Sequence, residues 1–167
     1  MSLLSAPGSD TWVIRRRSVT PGTDPHGGVL ARERRLHALR SSRELAHCSS
    51  SQLRGLLQYV DEVAVPAGSR VATEGQVCSQ FLIVIEGRLR ADASGHRCHT
   101  LEPGDSWGWN AMWDRSADDA TVVAESDTRL LVMGHAQFRA AKAIASRHGV
   151  TRSDRSCTRL RPELEQQ

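Results

Sequence analysis

Between residues 61 and 133 the sequence consists of short apolar segments separated by turns that contain glycine. Residues 81–85, FLIVI, form the longest apolar segment, and its length suits a buried strand better than a helix. Ser94 and Gly95 separate two alternating segments, as expected for a hairpin. Short strands joined by tight turns are typical of double-sheet barrels. The sequence therefore predicts a mainly β protein, a jelly-roll-like β-barrel.

Helical patterns flank this barrel on both sides. Residues 29–40 place apolar side chains at helical spacing, and Ser49 offers an N-cap to a clearer second helix. A third helix is predicted from Gly134 to about Arg147, with Gly149 ending it. The predicted domain is 29–149, with a helical lead-in (29–60), the barrel (61–133) and a C-terminal helix (134–149). A flexible basic arm, 1–28, precedes it, and a basic tail, 150–167, follows it.

The most informative stretch is residues 101–122, LEPGDSWGWNAMWDRSADDATV. It reads as a strand end, a PGD turn, a short helix and a new strand near Thr121. Gly108, just before the short helix, allows the backbone to approach another group closely. N–H groups at the start of such a helix favour anions. Three of the four tryptophans fall here, at positions 107, 109 and 113.

This stretch resembles the phosphate-binding cassette of the cyclic nucleotide-binding domain family, which reads roughly F-G-E-x-A-L-L and then P-R-S/T-A-T-V. The resemblance covers about residues 52–143, including glycines at 68, 75, 87, 104 and 108. The frame positions are occupied here by Trp107, Gly108, Ala111, Ala120 and Thr121. Trp109 stands where the family has the glutamate that holds the ribose hydroxyl. Asp118 stands where it has the arginine that pairs with the cyclic phosphate.

These two departures predict a domain that binds neither cAMP nor cGMP. A carboxylate about 4 Å from a phosphate charge is repelled by roughly 4 kcal/mol at an effective dielectric near 20, where an arginine would attract it. Asp119 adds a further negative charge. The candidate pocket residues are Trp107, Gly108, Trp109, Asn110, Ala111, Asp118, Asp119, Ala120 and Thr121.

The tryptophans have three interpretations. In the favoured one, Trp109 folds into the vacated nucleotide pocket and fills it, while Trp107 and Trp113 belong to the core. In the others, the rings line a cavity for a flat ligand or anchor a partner protein.

No catalytic motif is recognisable, so the chain is expected not to be an enzyme. His96, Cys98 and His99 lie on a predicted hairpin without a distant further ligand, so neither a metal nor another cofactor is expected. The cysteines form no C-x-x-C pair, which fits reduced thiols and a cytoplasmic protein. No apolar run is long enough to span a membrane.

Acidic side chains outnumber basic ones between residues 62 and 140, whereas both ends of the chain are basic. In the arm, Trp12 precedes Arg15, Arg16 and Arg17. This patch is either a docking peptide for an acidic or membrane surface or a solvated tail. The tail after residue 149 has little apolar content, so a helix-turn-helix that reads DNA specifically is not expected.

The sequence thus favours a non-enzymatic regulatory or adaptor module that acts through protein partners, with a homodimer contact through the C-terminal helix. The alternatives are a sensor of a small ligand, either a cyclic nucleotide held by backbone groups or a neutral or cationic molecule, and a nucleic-acid accessory protein that uses its arginine-rich ends.

Overall fold

The computed structural model describes residues 25–146 of the 167-residue chain. The candidate docking residues Trp12, Arg15, Arg16 and Arg17 lie outside the described residues, as does the basic tail. Both remain sequence-based predictions.

The described chain forms two helices, a barrel interrupted by a short helix, and a final helix. The helices are α1 (Pro25–Ser41), α2 (Ser50–Leu56) with a following 3-10 turn (Leu57–Tyr59), α3 (Trp109–Asp114) and α4 (His135–Ser146). The strands are β1 (Asp61–Val65), β2 (Arg70–Ala72), β3 (Gln80–Glu86), β4 (Leu89–Ala93), β5 (His96–Leu101), β6 (Ser106–Trp107), β7 (Thr121–Ala124) and β8 (Thr128–Gly134).

The strands form two four-stranded antiparallel sheets. One has the order β1-β8-β3-β6 and the other the order β2-β7-β4-β5. Neighbours in a sheet are often distant in sequence, as β1 and β8 are, which is the crossed connectivity of a jelly roll. The prediction of a jelly-roll-like barrel flanked by helices is confirmed.

Strand β3 is buried on both faces because it separates two cores. Leu82 and Val84 point between the sheets into the barrel core, which also receives side chains from the other strands. Phe81 and Ile83 point the other way into the helix-side core, together with residues of all four helices. The alternation of side chains along a strand produces this division, so the run FLIVI has no polar face.

The predicted helix boundaries shift by a few residues. α1 begins at Pro25 and not near Val29, so it crosses the boundary drawn between the arm and the lead-in at residue 28. Proline suits a first helical position because the N–H that it lacks would have no partner there. Gly134 completes β8, and α4 starts one residue later than predicted. The N-cap predicted at Ser49 is present as a capping box with Gln52.

α4 packs its apolar face within the chain. Phe138, Ala141 and Ala145 are buried in the helix-side core, and the helix contacts α2, β3 and β8. A homodimer through α4 would therefore have to use its outward residues. Among residues 25–146, no helix combines the length and the apolar character required to cross a membrane.

Candidate ligand site

Gly108 connects β6 to α3 and only glycine fits there. Its φ is +89°, a conformation that residues with a Cβ rarely adopt. A Cβ at this position would lie 2.7 Å from the backbone oxygen of Gln80 on β3. The close approach predicted for this glycine is therefore an approach to the protein's own sheet. This close contact fixes the position at which α3 starts.

The segment after α3 is held by backbone pairing with residues 74–78. The N–H of Asp118 donates to Gln76 O at 2.8 Å, and the N–H of Gly75 donates to Asp118 O at 2.9 Å. The N–H of Cys78 donates to Ser116 O at 3.1 Å. These backbone hydrogen bonds hold the main chain at Asp118 through both its N–H and its carbonyl, and they consequently set the direction of its side chain.

The carboxylate of Asp118 is buried and hydrogen-bonded to a tryptophan. Only 7% of the residue is exposed, and Trp107 Nε1 donates to its Oδ1 at 3.0 Å. Burial raises the pKa of the carboxyl above its usual value, while the hydrogen bonds from Trp107 and the Cys78 thiol act in the opposite direction. Burial, together with the charge of Asp118, raises the pKa of Cys78 to about 12, so this thiol stays protonated.

A cavity of about 450 Å³ lies beside this segment. Its walls come from the linker between α1 and α2, from β5 and the turn after it, and from the cassette. They are formed by Ser41, Arg43, Glu44, His99, Leu101, Gly104, Asp105, Ser106, Trp107, Gly108, Trp109, Asn110, Ala111, Ser116, Ala117, Asp118 and Asp119. Its size falls within the range of small-molecule sites.

Carboxylates dominate the charge of the cavity. Four carboxyl groups, those of Glu44, Asp105, Asp118 and Asp119, border it. The groups that can be positive are Arg43, which is solvent-exposed, and His99. An anion in the cavity would thus face an excess of negative charge in a partly desolvated setting, where repulsion is stronger than in water.

Glu44 joins the helical lead-in to the cassette. It is 9% exposed, and its Oε2 accepts hydrogen bonds from Ser42 Oγ at 2.8 Å and from Ser106 Oγ at 2.6 Å. Glu44 and Arg43 were not among the residues singled out from the sequence, and His99 was considered there only as a metal ligand. Glu44 and Arg43 are far from the cassette in sequence, and only the packing of the linker brings them to it, whereas His99 lies on β5 just before the cassette.

The interpretation of Trp109 as a plug is wrong. Its ring is in the helix-side core, with its centroid 5.2 Å from the ring of Phe81 and 5.0 Å from that of Phe138, and the cavity stays open. Trp107 is the tryptophan in the barrel core, and its ring lies 5.6 Å from that of His99. Trp113 packs against Trp109 at 5.8 Å.

Seven of the nine predicted pocket residues border the cavity. They are Trp107, Gly108, Trp109, Asn110, Ala111, Asp118 and Asp119. The other two do not line it. Ala120 is buried in the barrel core, and the Thr121 hydroxyl accepts a hydrogen bond from the N–H of Glu74 at 3.1 Å.

Within residues 25–146, no group of three or more His, Cys, Asp or Glu side chains is arranged to hold a metal ion. The predicted hairpin of β4 and β5 is present, with Ala93 opposite His96. The expectation that this hairpin holds no metal stays a prediction.

Residues 62–143 match the family model described as "Cyclic nucleotide-binding domain". All eight strands except the first residue of β1, the cassette and most of α4 fall within the matched residues. The barrel of this chain is therefore a member of the cyclic nucleotide-binding domain family, as the cassette resemblance predicted.

Solved structures with the same fold include a PKA regulatory domain, a PfPKA-R fragment and the N-terminal domain of a transcriptional regulator. The regulatory domain of Toxoplasma gondii PKA with cAMP is 23% identical with a TM-score of 0.64, over 75% of this chain and 49% of that one. A cAMP-bound PfPKA-R fragment is 17% identical with a TM-score of 0.64, over 71% and 42%. The N-terminal domain of a Streptomyces coelicolor A3(2) transcriptional regulator is 21% identical with a TM-score of 0.59, over 66% and 80%. This chain spans less than half the length of the first two.

Proposed function

We propose that this chain is a non-enzymatic regulatory module in which a cyclic nucleotide-binding domain no longer binds cAMP or cGMP and acts through protein partners. The observation that carries the proposal is the buried Asp118 at the phosphate-pairing position, hydrogen-bonded to Trp107. The carboxylate is packed inside the cassette, whereas a surface carboxylate could rotate into solvent and away from a bound phosphate.

The ribose position supports the same conclusion. Trp109, which stands at the position of the family's glutamate, directs its ring between Phe81 and Phe138 in the helix-side core. It offers no oxygen to a ribose hydroxyl. Glu44 lies on the cavity wall, but its Oε2 is occupied by two serine hydroxyls from the chain itself.

Titration of cAMP and of cGMP by calorimetry tests the nucleotide part of this proposal. We expect no saturable heat from the wild-type chain up to about 1 mM nucleotide, which corresponds to binding weaker than about 4 kcal/mol. The double substitution Asp118→Arg with Asp119→Ser restores the R-S-A-T-V sequence and is expected to gain binding. Asp118→Asn with Asp119→Ser is the matched control, because it removes both charges without adding the arginine.

Saturable micromolar binding of either nucleotide to the wild type would contradict the proposal. Trp109→Glu is unsuitable as a restoring change, because it would place a carboxylate in the helix-side core, where no compensating partner is expected.

The partner part of the proposal is supported by the exposed side of α1. Val29 and Leu30 are 61% and 68% exposed, and they are two of the three large apolar residues exposed within residues 25–146. The third, Val77 at 67%, lies beside the cassette on another part of the molecule. Adjacent exposed apolar side chains are a frequent feature of protein contact surfaces.

A photo-crosslinkable residue introduced at Leu30 in the native host tests this surface. We expect a discrete cross-linked product with one protein, absent from the version labelled at Val77. The product should also disappear when Val29→Ser is added to the Leu30-labelled chain. Equal products from both labelled positions, or none from Leu30, would contradict the assignment of α1 as the contact surface.

A further inference from the structure

We infer that the exposed side of α1 binds an acidic segment of the partner protein, with carboxylates of that segment placed against Arg34 and Arg35. The inference rests on the proposed function, because it names the chemistry of the partner that α1 meets there. It is carried by an arginine cluster with too few carboxylates, by two buried donors without an acceptor, and by an exposed apolar pair one turn away on the same helix.

The arginine cluster lies between α1 and the barrel. Glu62 of β1 accepts at Oε1 from Arg34 Nη2 at 2.8 Å and from Arg129 Nη1 at 3.0 Å. Arg35 is farther away, because its Nε lies 3.8 Å from Glu62 Oε2, beyond hydrogen-bond distance. Glu86 is the other carboxylate of the cluster, and it lies 3.6 Å from Arg129 Nε. Among residues 25–146, the two arginines of α1 therefore share the single carboxylate of Glu62.

The charge of α1 as a whole has the same sign. The helix contains four arginines, at positions 32, 34, 35 and 40, against one glutamate at position 33, which gives a net charge of +3 with histidines neutral. Glu62 offsets only part of this charge. A surface with an excess of positive charge attracts acidic partners and repels basic ones.

Two buried donors in the cluster have no hydrogen-bond acceptor. They are Nε of Arg34 and Nε of Arg35, and within residues 25–146 no other buried side-chain nitrogen or oxygen lacks a partner. An unsatisfied buried donor is rare in native structures and points to a missing acceptor. Nε and a neighbouring Nη form the pair of donors that holds a carboxylate at two points. The side chains are 34% and 33% exposed, so a carboxylate can approach from solvent and complete this pair when the guanidinium group rotates towards it.

The exposed apolar pair decides between kinds of anionic partner. Val29 and Leu30 are 61% and 68% exposed, and Leu30 lies four residues before Arg34, on the same face of α1. A protein segment can place an apolar side chain on Leu30 and a carboxylate one turn later on Arg34. A nucleic acid offers phosphates to the arginines but no aliphatic group to Leu30. An anionic membrane requires a continuous apolar helix face, whereas Arg32 and Glu33 follow the apolar pair directly.

The chain labelled with a photo-crosslinkable residue at Leu30 in the native host tests the inference when single substitutions are added to it. Arg35→Gln removes one guanidinium, so the yield of the cross-linked product should fall to about a tenth. Glu62→Gln breaks the same ion pairs but leaves the arginines without their carboxylate, so the yield should be maintained or rise. Arg97→Gln is the matched control, because it removes an exposed, ion-paired arginine from the other sheet. Its yield should stay within about twofold of that of the unsubstituted labelled chain.

Mass spectrometry of the cross-linked partner peptide gives a second readout. We expect Asp or Glu residues within about two helical turns of the linked residue. Equal losses of product with Arg35→Gln and Glu62→Gln would overturn the inference, because the ion pairs would then serve only to hold α1 in place. A linked peptide without acidic residues, or a product that nuclease removes, would also overturn it. No product from the chain labelled at Leu30 without added substitutions would overturn the proposed contact surface itself, so the two failures are distinguishable.

Discussion

The two halves of the cassette direct their side chains to different parts of the molecule. In the first half, α3 sends Trp109 and Met112 into the helix-side core. In the second half, residues 116–119 pair with the backbone of residues 74–78 and border the cavity with two aspartates. Packing therefore constrains the first half, and the chemistry of the cavity depends more on the second. A cassette can therefore keep its backbone conformation and its packing while its charged residues change.

The largest effect is expected for Trp109→Ala in the packing half. The ring is 3% exposed and contacts Phe81 and Phe138, so truncation leaves a cavity between α3, β3 and α4. We expect a loss of about 3–5 kcal/mol in the free energy of unfolding, measured by urea denaturation. Trp109→Phe, which keeps most of the apolar volume, should lose much less. Equal losses for both would mean that the indole has a role other than filling this core.

A smaller effect is expected for Trp107→Phe, which tests the half that borders the cavity. The change removes the N–H that donates to Asp118 and leaves a buried carboxylate without that donor. We expect a loss of about 1–3 kcal/mol at neutral pH. The pKa of Asp118 should rise further, because the hydrogen bond from Trp107 is one of the influences that lower it.

A double-mutant cycle with Asp118→Asn separates the hydrogen bond from the loss of ring area. Asparagine keeps an oxygen for the indole N–H and removes the charge. Trp107→Phe should therefore cost less in the Asp118→Asn background than in the wild type. Identical costs in both backgrounds would mean that ring packing, and not the hydrogen bond, links these residues.

The backbone of the cassette was more predictable from the sequence than the wall of the cavity, for physical reasons. The run at residues 81–85 and Gly108 are strong local signals, because strand burial and a positive φ each restrict which residues can occupy a position. No comparable local signal shows which side chains of the cassette face the helix-side core and which face the barrel core. Trp107 and Trp109 are chemically alike and two residues apart, but Trp107 ends β6 and Trp109 begins α3, and their rings lie in different cores. The position of Trp109 in the family's cassette therefore predicted a ring that fills the pocket, whereas the ring packs in the helix-side core.

The remainder of the wall could not be read from sequence at all. Glu44 reaches the cassette through the α1–α2 linker, and its hydrogen bond with Ser106 joins residues 62 positions apart. His99 lies on β5, and its ring packs beside that of Trp107. A carboxylate in a linker resembles any solvated surface residue until tertiary packing buries it. The charge of the cavity is thus a property of tertiary structure, whereas Asp118 and Asp119 were already visible in the motif.

The smallest expected effect is also the most specific test of the buried charge. In Asp118→Asn the oxygen that accepts from Trp107 is retained, so the change mainly removes a carboxyl whose pKa is raised above its usual 3.8 by burial. A carboxyl with a raised pKa in the folded state binds its proton more tightly there than in the unfolded chain. Its contribution to stability is therefore fully present below pH 3.8 and is lost as the pH rises through the folded-state pKa.

We expect the variant to match the wild type near pH 4 and to exceed it by up to about 1 kcal/mol at pH 7, in urea unfolding at both values. A stability difference that does not change with pH would show that Asp118 is not held at a raised pKa. The acidic half of the cassette would then resemble an ordinary surface loop more than a buried charged site.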